Sequence, residues 1–169
     1  MPATKLKPTL PVKSRPAEGA FRELLRVQGL LERVMQPYFA QFGISGSQWG
    51  VLRNLHRAEE QRLPGLRLTD LSDRLLIRPP SVTGVVDRLE RAGLVVRDES
   101  PFDMRAKQVA LTAKGRELVE RILTVHGRQI DALLGVLDAA EQTELHRLLS
   151  RLVQHLEAVL VDGATARIG

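Results

Sequence analysis

Between Leu66 and Leu111 the apolar residues change their spacing twice, and few folds accommodate that change. Leu71 and Leu75, then Val82, Val85, Val86 and Leu89, recur at intervals of three and four, the repeat of a helix with one buried face. Ile77-Arg78-Pro79-Pro80 interrupts this series. Proline fits a first helical turn but not a helix interior, so a new helix begins there. Gly93 closes it, after which Leu94-Val95-Val96-Arg97 and Gln108-Val109-Ala110-Leu111 have the short, β-branched character of strands. The polar stretch from Asp98 to Lys107, with Pro101 inside it, predicts a hairpin with a long charged tip. Two helices joined by a tight turn and followed by a β-ribbon predict a winged helix-turn-helix.

The flanks read as helices. Phe21, Leu24, Leu25, Leu31, Met35, Tyr38 and Phe42 mark one amphipathic face over 17–42, with Pro37 as a kink or early stop and Gly43 as its end. Ser45 and Gln48 have the spacing of a capping box, which predicts a second helix carrying Trp49, Leu52 and Leu55. Leu66-Arg67-Leu68 reads as a very short strand and Thr69 as the N-cap of the helix that follows. Thr112 caps a helix expected to run to about Leu137. Asp138 and Glu141 repeat the capping-box spacing ahead of a final helix with Leu145, Leu148, Leu149, Leu152, Leu156, Val159 and Leu160 on one stripe. The fold class expected is mainly α with a small β-hairpin wing.

Composition narrows the function. The 169 residues include no cysteine, which excludes disulfides, thiolate metal sites and thiol catalysis. Aromatics at 4% argue against a base-stacking platform for single strands. No apolar run approaches the roughly 20 residues that span a bilayer, and no apolar leader segment is evident, so a cytoplasmic protein without a membrane partner is expected. The net charge of +5 is uneven. Lys5, Lys7, Lys13 and Arg15 make residues 1–16 basic, residues 66–116 carry ten bases against seven acids, and residues 117–169 are net acidic. Charge alone fits either a polyanionic partner or a solvated basic surface.

Placement favours the polyanion. The helix after Pro79-Pro80 carries Arg78, Ser81, Thr83 and Arg88, and its N-terminal backbone donors are expected to stabilise an anion. Helix-turn-helix proteins set this second helix in the major groove. Arg105 and Lys107 lie at the hairpin tip, within reach of backbone or minor groove. A winged module that binds protein instead of DNA is the alternative. His56, His126, His146 and His155 show no helical metal-site spacing, so neither metal nor cofactor is expected. Glu59-Glu60 reads as a solvated helix end, and without a phosphate loop or nucleophile elbow no enzyme is expected.

Leu68-Thr69-Asp70-Leu71-Ser72-Asp73-Arg74-Leu75, Pro79-Pro80-Ser81-Val82-Thr83 and Val86-Asp87-Arg88-Leu89-Glu90-Arg91-Ala92-Gly93-Leu94-Val95 together resemble the MarR family of bacterial transcription regulators. Asp103-Met104-Arg105-Ala106-Lys107, followed by Leu111-Thr112-Ala113-Lys114-Gly115, is similar to that family's wing, and Ser47-Gln48-Trp49-Gly50-Val51-Leu52 to its second helix. The resemblance runs from about residue 20 to 160. It implies a homodimeric repressor of a palindromic double-stranded operator. It also implies Arg105 entering the minor groove braced by Asp103, and release by a small aromatic or phenolic effector. Candidate effector residues are Tyr38, Phe42, Trp49, Arg53 and His56. Gly84 and Met104 depart from the family pattern, which often has arginine at both places, and Glu99 adds an acid near the wing. The organisation expected is a disordered basic tail at 1–16, helical dimerisation segments at 17–42 and 116–161, a DNA-binding winged helix-turn-helix at 43–115 and a C-terminal tail at 162–169.

Overall fold

A computed structural model describes residues 15–100 and 103–161, without the side chains of 99–100, 103–107 and 161. Apart from Arg15 and Pro16, both expected tails fall outside the described residues. The elements are α1 (Pro16–Ala40), α2 (Gly46–Glu60), α3 (Leu68–Leu75), α4 (Pro79–Arg91), β1 (Val95–Ser100), β2 (Asp103–Leu111), α5 (Ala113–Leu134) and α6 (Ala139–Val161). This is the mainly α fold with a two-stranded wing that the spacing predicts. Residues up to Val119 form one compact unit and those from Glu120 a second.

In the first unit, α1 starts on Pro16 and runs through Pro37 to Ala40, so Pro37 does not stop it. Gly43, at φ +72°, takes the left-handed turn that separates α1 from α2. The capping box opens α2 as expected: the Gln48 N–H donates to Ser45 Oγ at 3.2 Å, and the Ser45 N–H donates to Gln48 Oε1 at 2.8 Å. The start of α3 differs from expectation. Arg67, not Thr69, is the N-cap, because the Asp70 carboxylate accepts the Arg67 N–H at 3.0 Å and draws the helix start back. The strand expected at Leu66-Arg67-Leu68 therefore shrinks to one bridge, with Leu66 and Val109 exchanging N–H···O bonds of 3.0 and 2.8 Å.

The turn between α3 and α4 is tight. Leu76 occupies the left-handed region at φ 53°, and Ser72 Oγ donates to the Ile77 carbonyl at 2.5 Å. Gly93, at φ +70°, ends the segment after α4, and the Leu94 N–H returns to the Leu89 carbonyl at 3.0 Å. The wing is more regular than its polar sequence implies. Antiparallel pairing continues from Val95↔Leu111 past Glu99↔Lys107 to Ser100↔Asp103, with a register shift between Glu99 and Ser100. Backbone pairing alone can hold a two-stranded ribbon without apolar alternation, so the charged stretch expected to loop is mostly strand. The core of this unit is Val51, Leu52, Leu55, Leu71, Val82, Val86, Leu89, Val109 and Val119, all fully buried.

In the second unit α5 ends at Leu134, three residues before the expected stop. A turn through Gly135 follows, and Asp138 and Glu141 form the expected reciprocal cap of α6, with both N–H···O distances 2.9 Å. Among the described residues, rows of large apolar side chains are left exposed on α1 (Phe21, Leu24, Leu25, Leu30, Leu31 and Val34) and on α6 (Leu148, Leu149, Leu152, Val153, Leu156 and Leu160), with Val125 and Ile130 exposed on α5.

Candidate nucleic-acid interface

The apolar series that predicted α4 also orients it. Val82, Val85, Val86 and Leu89 are buried, which turns Arg78, Ser81 and Arg88 to the exposed side. Neither the Arg78 nor the Arg88 side chain has a hydrogen bond or ion pair to another described residue. Thr83 is half-buried, and its hydroxyl donates to the Pro79 carbonyl at 3.1 Å. Its proton is committed to the helix, which leaves its oxygen to accept.

One expectation fails here. The start of α4 is not a ready anion site, because Pro79 and Pro80 have no N–H. The next two donors, Ser81 and Val82, both bond the Arg78 carbonyl, at 3.0 and 3.3 Å. Any anion held at this end is held by side chains.

The wing is tied to α4 by an arginine the sequence reading missed. Arg97 of β1 reaches Asp87 Oδ1 at 2.5 Å with Nη2 and bonds Glu90 with Nη1. Its side chain is one-fifth exposed. Partial burial opposes the charge, but the two carboxylates outweigh it and hold the guanidinium pKa above its ordinary value. The signal was present: Asp87 and Glu90 are three apart on one helix face, and Arg97 is the first polar residue of the strand that follows. The brace also sets one positive charge between two acids of α4, which halves their net charge.

Beyond it the ribbon carries Asp103, Arg105 and Lys107 on β2, with Lys107 paired in register to Glu99. The side chains of Asp103, Arg105 and Lys107, and the brace expected between the first two, lie outside the described residues. At the base of the wing Thr112 Oγ1 donates to the Gly93 carbonyl at 2.8 Å and accepts the Gly115 N–H at 3.0 Å. Lys114 Nζ donates to the Ala92 carbonyl at 2.9 Å, which suits a helix C-terminus. Glu59 and Glu60 end α2 as expected, with Glu60 exposed, but Glu59 is paired: Arg116 grips its carboxylate through Nε and Nη2 at 2.9–3.1 Å.

The candidate effector residues fall into two groups. Tyr38 and Phe42 pack edge to face at 5.5 Å, and Tyr38 also meets Phe39 at 5.1 Å. Phe39 in turn stacks on Trp49 at 5.8 Å. Phe39 is thus the linking residue of this cluster, and the sequence reading did not single it out. Burial raises the Tyr38 pKa above its ordinary 10.0. Arg53 and His56 form a separate polar group on α2. Arg53 Nη1 lies 3.0 Å from His56 Nδ1, and Glu60 Oε1 lies 3.2 Å from the same nitrogen. No group of described residues has the makings of a metal site.

A helix-turn-helix whose second helix presents Arg78 at its start and Arg88 along its length, both without a partner among the described residues, and which is fixed to a two-stranded wing, defines a winged-helix DNA-binding protein. Residues 42–106 match the sequence profile of the MarR family. The transcriptional regulator FarR of Neisseria gonorrhoeae is 33% identical over 136 residues, covering 80% of this chain and 90% of that one. Among solved structures, AbsC, a MarR family transcriptional regulator from Streptomyces coelicolor, superposes with a TM-score of 0.74 at 25% identity, over 85% of this chain and 97% of that one. The S. aureus MepR–DNA complex shares the fold, with a TM-score of 0.68 at 22% identity over 84% and 96% of the two chains. The chain belongs to the MarR family: it is a DNA-binding transcription regulator and not an enzyme.

Proposed function

We propose that the protein is a cytoplasmic homodimeric repressor of a palindromic DNA operator. The observation that carries this reading is the pair of exposed apolar stripes. On α1, Phe21 is 62% and Leu25 53% exposed, and on α6, Leu156 is 51% and Leu160 73% exposed. Monomeric proteins rarely leave such rows in water. Covering half of each side chain is worth roughly 1 kcal/mol per residue. Over both copies this is of order 25 kcal/mol, more than the roughly 4–15 kcal/mol that association costs. The segments 17–42 and 116–161 accordingly form the dimerisation region, and 43–115 the DNA-binding lobe.

A two-fold dimer presents two copies of α4, and a palindrome matches that symmetry. Arg78, Ser81, Thr83 and Arg88 face the major groove, while Arg105 and Lys107 anchor the wing on phosphate and minor groove, with Asp103 orienting Arg105. No described helix is long and apolar enough to cross a membrane, in keeping with a cytoplasmic regulator. The aromatic cluster of Tyr38, Phe42 and Trp49, with Arg53 and His56 as polar anchors, is the proposed site for a small aromatic or phenolic effector that releases the operator.

The test is sedimentation at low micromolar concentration, alone and with a duplex selected from a random library. A folded dimer that binds one palindromic duplex per two chains is expected. A folded monomer, or a selected site without two-fold symmetry, overturns the reading.

A further inference from the structure

The middle of α4 holds a glycine for which the protein itself gives no reason. Gly84 lies two residues from both Val82 and Val86, which are fully buried, so the roughly 100° per residue of a helix places it on the opposite, outward side. Its φ is an ordinary helical one, and a Cβ built there meets only Arg88 Nη1, at 3.7 Å, an ordinary contact distance. Neither backbone geometry nor packing demands glycine, and glycine in a helix interior costs stability. What remains is an approach from outside, since a missing side chain lets another molecule come close to the backbone.

The residue beside the gap is suited to exploit it. Arg88 is one turn further on, and its guanidinium lies along the helix toward Gly84. It is exposed and has no partner among the described residues, whereas Asp87 and Glu90 on either side are held by Arg97. Arg91 Nε is turned back to the Asp87 carbonyl at 3.3 Å. The backbone donors of the first turn are spent, since Pro79 and Pro80 have no N–H and the Ser81 N–H is bonded, and the Thr83 hydroxyl proton goes to the Pro79 carbonyl, so beside Gly84 it is Arg88 that offers donors.

We propose that Gly84 and Arg88 form one specificity unit, in which the bare backbone at 84 admits the base edges closely and the Arg88 guanidinium, lying beside that gap, reads a guanine. The two donors of the fork match guanine O6 and N7 in the major groove, and lysine, which can reach the same acceptors, lacks the rigid planar fork that fixes both at once. This rests on the proposed function, in that α4 must enter the groove.

The experiment compares wild type, Gly84→Ala, Arg88→Lys and the double variant. It measures thermal midpoint, affinity for the selected operator and for a scrambled duplex, and base preference from a random library. Gly84→Ala should raise the thermal midpoint yet weaken the operator complex about 5- to 150-fold per half-site, with a much smaller effect on the scrambled duplex. Arg88→Lys should keep the charge and the salt dependence, weaken the operator complex by a smaller factor, and reduce a guanine preference at one position per half-site. The double variant should cost little more than Gly84→Ala alone, because both changes act on the same contact. Operator affinity retained in Gly84→Ala, or an unchanged base preference in Arg88→Lys, would overturn this inference and leave the proposed function standing. Absence of salt-dependent duplex binding by the wild type would overturn both.

Discussion

Gly115→Ala is a one-methyl change whose cost follows from a single contact. Gly115 sits in the first turn of α5, and a Cβ there falls 2.1 Å from the Leu94 carbonyl oxygen and 3.3 Å from Leu111 Cδ2. Opening the first distance to about 3 Å requires roughly 1 Å of separation between the start of α5 and the start of the wing, an overpacking cost of about 1–3 kcal/mol. The same movement stretches three bonds across the seam. The Thr112 N–H bonds Leu94 O at 3.1 Å, Thr112 Oγ1 bonds Gly93 O at 2.8 Å, and Lys114 Nζ bonds Ala92 O at 2.9 Å. At about 0.5–1.5 kcal/mol each, losing one or two brings the total to roughly 3–4 kcal/mol. The control is Gly29→Ala on α1, where a Cβ meets nothing within 4 Å. There the lower backbone entropy of alanine should stabilise by about 0.5–1 kcal/mol. Urea denaturation followed by circular dichroism reads both, at one fixed protein concentration because dimerisation adds to stability. Opposite signs are expected. A Gly115→Ala protein within about 0.5 kcal/mol of wild type would refute the steric argument, since that is the spread of ordinary surface substitutions.

Arg97→Ala should cost about 1–2 kcal/mol in urea denaturation, the upper range for a partly exposed pair because one arginine serves two carboxylates, and should weaken operator and scrambled duplex alike by freeing Asp87 and Glu90; unchanged affinity for both would contradict the brace. Tyr38 is the only tyrosine, so phenolate absorbance reports it alone, and its midpoint in the folded protein should lie above 10.0. A raised pKa means the neutral phenol favours the folded state, so this stabilisation is complete below the unfolded pKa and disappears as pH climbs through the folded one; a midpoint at or below 10.0 would contradict the burial argument. Leu76 is 84% exposed in a left-handed conformation, so Leu76→Gly relieves strain without uncovering a core, and a net stabilisation of about 0.5–1 kcal/mol is expected in the same denaturation assay.

The elements set by local chemistry were legible in the sequence, and those set by competition or distance were not. Ser45 and Gln48, and Asp138 and Glu141, cap their helices as their spacing predicts, because a capping box is closed within four residues. Thr69 has the right side chain for a cap, but Asp70 captures the Arg67 N–H and the helix starts without it. The polar stretch after Arg97 reads as loop, because strand signals rest on apolar alternation, and this segment pairs through its backbone without it. At the site, the inward valines of α4 predict its outward arginines correctly. The same reading assigned an anion site to the helix start and overlooked that two prolines remove the donors. The Arg97 brace left a signal in the spacing of Asp87 and Glu90 that charge counting passed over, whereas the Arg116–Glu59 pair joins residues 57 positions apart, which no local pattern reports.

The most direct test of the central claim, that the second helix reads sequence while the wing supplies anchoring, is the salt dependence of binding by Arg105→Ala and Arg78→Ala to operator and scrambled duplexes. Arg105→Ala should weaken both duplexes alike and make the slope of log affinity against log salt shallower by about one unit per lost phosphate contact, twice over in a dimer. Arg78→Ala should cost roughly 1–3 kcal/mol per half-site on the operator and little on the scrambled duplex. An Arg105→Ala effect confined to the operator, with Arg78→Ala weakening both duplexes equally, would contradict the account by reversing the two roles.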